Sequence, residues 1–138
     1  MIQYLKGGVI TLFRAGRYEI QDVLSKIVKL SKEKSLVDFD GDLIAMNSLR
    51  YQTFLKSGVK CVECGIEGLY FIKERFNEHE RYHFNLYALD KNGKEILLTK
   101  DHIQPKSKGG KNCIRNLQTM CTHCNSKKGD KWDERISN

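Results

Sequence analysis

The sequence predicts a small α+β domain, and three observations carry that prediction. Short β-rich runs are joined by tight-turn dipeptides, Asp40-Gly41 and Asn92-Gly93. Apolar residues at helical spacing occur only in brief stretches bounded by capping residues and glycines. Two Cys-x-x-Cys pairs, Cys61/Cys64 and Cys121/Cys124, stand 56 residues apart and point to a staple between distant segments.

With 138 residues, 40% of them apolar, the chain can bury a modest core that benefits from such a staple. The net charge of +7 suits an anionic partner, with nucleic acid the first candidate. The excess is uneven. Residues 61–99 carry five basic and seven acidic side chains, whereas residues 100–138 carry nine and four. No signal peptide or membrane-length apolar run is visible, so no membrane partner is expected. Five cysteines without an export signal suit a reducing, cytoplasmic compartment.

In chain order, Gly7-Gly8 lead into a short strand through Val9–Phe13. Ile20, Val23, Leu24, Ile27, Val28 and Leu30 then predict a helix from Arg17 to about Lys34, with Lys26, Lys29, Lys32 and Lys34 on solvated faces. Val37–Phe39 and Leu43–Ala45 flank Asp40-Gly41 as a hairpin. Its three aspartates lack the spacing of a calcium loop. Asn47 or Ser48 caps a short helix that Gly58 stops. A domain boundary is expected here, giving 1–58 as an N-terminal helix and hairpin region of unassigned role, 59–131 as the main domain and 132–138 as a tail. Tyr82–Leu89 and Glu95–Thr99 form a second hairpin around Asn92-Gly93 and deliver the chain into Asp101-His102. Asn116–Met120 reads as a strand, and Thr122 caps a short helix ending at Gly129.

Two-residue spacing lets both sulfurs of a pair reach one tetrahedral ion, so Cys61, Cys64, Cys121 and Cys124 predict a closed structural zinc site. His123 lies between two of them and is the one nearby substitute. Cys113 is left over as a free thiol.

Between the cysteine pairs lie groups with chemical potential. Asp101 offers a hard oxygen to a cation such as Mg²⁺. His102 offers an imidazole that can accept a proton from water. Adjacent side chains on a strand face opposite ways, so both serve one site only where the strand ends, and Pro105 suits an ending. Lys106, Lys108 and Lys111 surround Gly109-Gly110 in a basic loop suited to a phosphate backbone. Asn116 can hydrogen-bond across that loop. On the last helix Asn125 offers a neutral oxygen and Lys128, three residues on, a positive charge.

In this order the residues resemble the HNH endonuclease family. The match comprises Asp101-His102-Ile103 with Pro105, Gly109-Gly110, Asn116-Leu117-Gln118, Cys121-x-x-Cys124-Asn125 and Lys128-Gly129-Asp130. Cys61-x-x-Cys64-Gly65 resembles the zinc knuckle upstream of many members. The resemblance covers roughly residues 59–131, in a His-Asn-Asn variant of the signature. It implies a ββα-metal core and DNA phosphodiester hydrolysis. His102 would be the general base, Asn116 would hold the loop, and Asp101 and Asn125 would ligate Mg²⁺ or Mn²⁺, with Ni²⁺ as a further option. The basic residues Lys106, Lys108, Lys111 and Lys128 are expected to contact DNA phosphates, and the resemblance implies one nick per active site, so that a double-strand break needs two copies. A phage or mobile-element setting suits so small a nuclease.

The alternative is a non-catalytic zinc module that binds nucleic acid, which explains the cysteines and charge without needing the Asp101, His102, Asn125 order. A zinc deaminase would need His-x-Glu and Pro-Cys-x-x-Cys, and neither occurs. A thiol–disulfide enzyme does not suit two such pairs.

Overall fold

β-Branched and aromatic runs separated by turns build mainly strands. The structure, a computed structural model, describes residues 2–5 and 8–132, with side chains from Leu12 onward. The elements are β1 (Ile2–Leu5), β2 (Gly8–Thr11), β3 (Phe13–Tyr18), α1 (Ile20–Leu24), β4 (Leu36–Phe39), β5 (Asp42–Ala45) and α2 (Leu49–Ser57), followed by β6 (Tyr70–Arg75), β7 (His83–Leu89), β8 (Glu95–His102), β9 (Leu117–Cys121) and α3 (Thr122–Lys128). Five strands form one antiparallel sheet in the order β3-β6-β7-β8-β9, and β1-β2 and β4-β5 are separate hairpins. The fold is therefore mixed α and β with an antiparallel sheet, few helices and a cluster of four cysteines.

One sheet face carries Phe71, Phe84, Leu86, Ala88, Ile96 and Leu98 into the main core, where Val23, Phe39, Ile44, Met46, Tyr51 and Phe54 meet them. Phe84 stands edge-on to Tyr18, Phe39 and Phe71, an arrangement favoured by the ring quadrupoles. Sheet and core thus draw on residues from both sides of position 58.

The opposite face buries Tyr70, Ile72 and Tyr87 around a polar network. Glu74, fully buried, accepts from Arg14 Nε at 3.0 Å, from Asn85 Nδ2 at 2.5 Å and from the Tyr87 hydroxyl. The Arg14 guanidinium also forks onto Glu95 at 2.7 and 3.2 Å. A carboxylate buried this deeply requires such a complete set of donors. Burial works against the Arg14 charge, but Glu95 and Glu74 outweigh it and hold the guanidinium ionised. The Tyr87 hydroxyl is pushed well above its ordinary range by burial and by Glu74.

Helix α2 begins where Ser48 Oγ accepts from Tyr51 N and ends at Gly58, whose φ of +84° favours glycine. It lies on β8 and β9. Lys56 Nζ, at its last turn, donates to the carbonyls of Ile114 and Leu117 at 2.7 and 2.6 Å. Arg50 donates to the carbonyl of Phe84 at 2.8 Å. The helix is thereby tied to the start of β9 and to the strand His83–Leu89.

The N-terminal helix differs from expectation. The helix predicted over Arg17–Lys34 is reduced to Ile20–Leu24, and Phe13–Tyr18 instead joins the sheet edge beside β6, with a bulge between Arg14 and Gly16. Tertiary partners outbid helical hydrogen bonds over residues 25–35. Val28 N donates to Met46 O, Met46 N donates to Ser35 O, and the Asn47 side chain binds Ser31, Glu33 and Ser35. Ile27 and Val28 still pack on the core, so their apolar spacing is satisfied without a helix. Residues 133–138, most of the expected tail, lie outside the described residues. Among the described residues no helix is long and apolar enough to cross a membrane.

Candidate active site

β8 and β9 pair with Asp101 opposite Gln118 and His102 opposite Leu117. The strand ends at His102, and Ile103 N already bonds across to Asn116 O at 2.8 Å. At this end the two neighbouring side chains can border one space. A cleft of about 250 Å³ is lined by Lys100, Asp101, His102, Pro105 and Lys106 on one side and by Asn125, Lys128 and Gly129 of α3 on the other.

Asp101 is buried. Its Oδ2 accepts from Gln118 Nε2 at 2.9 Å, and Lys128 Nζ lies 3.2 and 3.0 Å from its two oxygens. The same ammonium donates to the His102 carbonyl at 2.6 Å, which ties α3 to the strand end. Lys128, expected to meet phosphate, is therefore engaged with Asp101 here. His102 is half-buried, and its Nε2 lies 3.1 Å from Asn112 Oδ1.

Asn116 spans the loop behind the cleft. Its Oδ1 accepts from Gln104 N at 2.8 Å, and its Nδ2 donates to the carbonyls of Gln104 and Lys111 at 3.0 and 2.8 Å. One amide thus satisfies three backbone groups of an irregular segment. The loop closes tightly at Gly110, where a Cβ would lie 1.7 Å from Gln104 O and 2.6 Å from its carbonyl carbon. Backbone cannot yield as a flexible side chain can. Gly110→Ala is expected to destabilise by about 1–3 kcal/mol and to displace the Gln104 carbonyl that Asn116 holds. A thermal melt and the amide resonance of Gln104 check this; an unchanged melt would show that the loop yields freely.

The cysteines meet because the knuckle is stitched to β9. Gly65, at φ +78°, turns its N–H onto Cys61 O at 2.9 Å, Val62 N donates to Thr119 O at 3.0 Å, and Thr119 Oγ1 donates to Gly58 O at 2.7 Å. The four Sγ atoms lie within 4.8 Å of one another, with Cys64 and Cys121 at 3.9 Å, and none is in a disulfide. Four sulfurs at ~2.3 Å from one ion would stand ~3.8 Å apart, so the set fits a zinc-sized cation. Loss of solvation pushes the Cys124 thiol up to about 12, and the other three sulfurs add to the rise. Cys121 is raised first by burial, with Cys61 and Cys64 contributing. Burial would raise Cys61 too, but backbone donors outweigh it and bring that thiol to about 7. His123 is exposed and outside the sulfur cluster, and Cys113 is half-buried.

Of the residues singled out in the sequence, the structure brings Asp101, His102, Asn125, Lys106 and Lys128 to one cleft and the four cysteines to one cluster. Asn116 stands behind the cleft. Lys108 and Lys111 are exposed on the loop and do not line it. The sequence reading gave no role to Asn112 at the imidazole, Gln118 at the carboxylate, Lys100 in the cleft or Arg50 on α2. Lys100 had a signal, since two-residue spacing puts it on the strand face of His102; Arg50 had none. Burial lowers the Lys100 ammonium, with Lys106 and Arg50 adding to the effect; His83 is lowered by burial first and then by Arg50.

Residues 90–138 match the model of the HNH endonuclease family. The match covers 49 of the 138 residues. The HNH segment begins in the turn before β8 and contains the cleft and Cys121/Cys124, while Cys61, Cys64, Lys56 and Arg50 lie outside the match. The match supports nuclease activity on nucleic acid in the broad sense. No curated protein and no solved structure matches the chain.

Proposed function

We propose that the protein is a metal-dependent DNA endonuclease that nicks one strand per active site. The observation that carries this reading is the shared cleft of Asp101, His102 and Asn125 at the end of β8, within the segment matched by the family. β8, β9 and α3 would be its ββα-metal core, and Zn²⁺ on the four cysteines a structural ion.

In this reading His102 takes a proton from the water that attacks phosphorus. An Nε2–H donated to Asn112 Oδ1 leaves the lone pair on Nδ1, and the same bond fixes the ring plane. Asp101 and Asn125 supply hard oxygens to a divalent cation, Mg²⁺, Mn²⁺ or Ni²⁺, and that fit rests on the donor chemistry and the shared cleft. When bound, such an ion neutralises charge on the phosphate and the departing 3′ oxygen. Gln118 orients the Asp101 carboxylate. Lys128 competes with a cation for that carboxylate, and charge it releases is available to phosphate. Asn116 keeps the loop that carries Lys106 in register. Products would be a 5′-phosphate and a 3′-hydroxyl.

The test is conversion of supercoiled plasmid to the open circle with Mg²⁺, Mn²⁺ or Ni²⁺ added to zinc-loaded protein. Nicking is expected with the added ion and not without it. Tight DNA binding without cleavage under every ion would instead favour a non-catalytic zinc module.

A further inference from the structure

Lys100 and Lys106 line the cleft on the β8 side, across from Lys128 on α3. Lys100 lies two residues before His102, on the face of β8 that α2 covers. Arg50, in the first turn of α2, is anchored at the same end of the sheet: its guanidinium donates to the Phe84 carbonyl, and Phe84 and Lys100 each lie two residues beyond the last β7–β8 pair, Leu86 with Leu98. None of the three cations has a carboxylate partner among the described residues, whereas Arg14, Lys60, Lys73 and Lys128 all do. Gathering these cations where the one acid of the cleft lining, Asp101, is already paired with Lys128 is unfavourable in the fold itself. An anion seated among them would reverse that cost.

We propose that Lys100, Lys106 and Arg50 form a second phosphate seat, which holds the DNA backbone phosphate next to the one that is cut. Helix α2, outside the family match, is then part of the substrate-binding wall. The identity of the occupant rests on the nuclease reading; the clustering of charge does not. A nucleic-acid strand fits better than a free anion because the seat adjoins the His102 cleft, and successive phosphates of one strand can occupy both.

The experiment uses the full zinc-loaded chain. Binding to a fixed duplex is followed by fluorescence anisotropy across a salt series, for wild type, Lys100→Gln, Lys106→Gln, Arg50→Gln and Arg50→Lys, with Lys94→Gln at the distant hairpin tip as control. Each seat variant is expected to lose roughly three- to tenfold in affinity and about one unit of salt slope, whatever the DNA sequence. Arg50→Lys should recover part of the loss. A second series places one neutral methylphosphonate at successive positions of the duplex. Wild type should weaken at one position that the Lys100→Gln protein no longer senses. Lys100→Gln removes no side-chain hydrogen bond among the described residues, so it carries the test if Arg50→Gln melts early. Salt slopes equal to the Lys94→Gln control, or identical methylphosphonate profiles for wild type and Lys100→Gln, would overturn the seat. If plasmid is nicked while the seat variants bind as wild type does, the seat fails and the nuclease stands. If the slopes shift as expected and no ion supports nicking, the seat stands and the nuclease reading fails.

Discussion

Cys121→Ala, or stripping of zinc with a strong chelator, is expected to remove most of the cooperative melt. Cys121 sits at the junction of β9 and α3, and its Sγ accepts from Cys124 N at 3.4 Å, capping the helix that carries Asn125 and Lys128. Structural zinc contributes on the order of 10 kcal/mol in small domains, comparable to the whole stability of a typical fold, about 5–15 kcal/mol. At roughly 3–5 °C per kcal/mol for a chain of this size, losing even half of that lowers Tm by about 15 °C or more. Circular dichroism melts with parallel assay of released zinc and free thiols check this. A protein that melts at the wild-type temperature with no metal bound would show that the sulfurs are merely neighbours. The pH dependence has a definite sign: metal needs thiolates, and raised thiols such as Cys124 oppose its binding increasingly as the medium becomes more acidic.

His102→Ala is expected to cut the nicking rate by about 10²–10⁴-fold while leaving Tm and zinc content at wild-type values. The two parts of this prediction have separate causes. Among the described residues the imidazole makes one side-chain hydrogen bond, to an exposed Asn112, so its removal unseats little. As the proton acceptor it has no substitute in the cleft, whose other lining side chains include cations, an amide and the engaged Asp101. Single-turnover nicking at saturating protein isolates the chemical step. Activity within threefold of wild type would remove His102 from the mechanism. Asp101→Ala makes a useful contrast, because it strands Lys128 and Gln118 and should lower stability and activity together.

What could be read in the sequence was what local chemistry decides. The Asp40-Gly41 and Asn92-Gly93 turns, the Ser48 start and Gly58 stop of α2, and the Gly129 end of α3 all lie where turn and cap residues placed them. The cysteine spacing pointed to the sulfur cluster because two residues is a geometric constraint in itself. Long-range partners were not legible. The apolar spacing of Ile20 to Leu30 matched a helix, but Met46 and Asn47 claimed the backbone groups that a helix would have used. Nothing near Phe13 indicated that it would border Arg75, or that Arg14 would answer a glutamate 60 residues away. Arg50 escaped notice for the same reason: its place is set by how α2 docks, and docking leaves no periodic trace in sequence.

The stitching of Cys61 and Cys64 to β9 bears on how such a nuclease can be moved between proteins. A fragment cut at the edges of the family match would leave two of the four clustered sulfurs behind, along with the lysine that clasps the Ile114 and Leu117 carbonyls. The unit that can be grafted or inherited intact is consequently larger than the segment that sequence comparison recognises, and it reaches back at least to the start of α2.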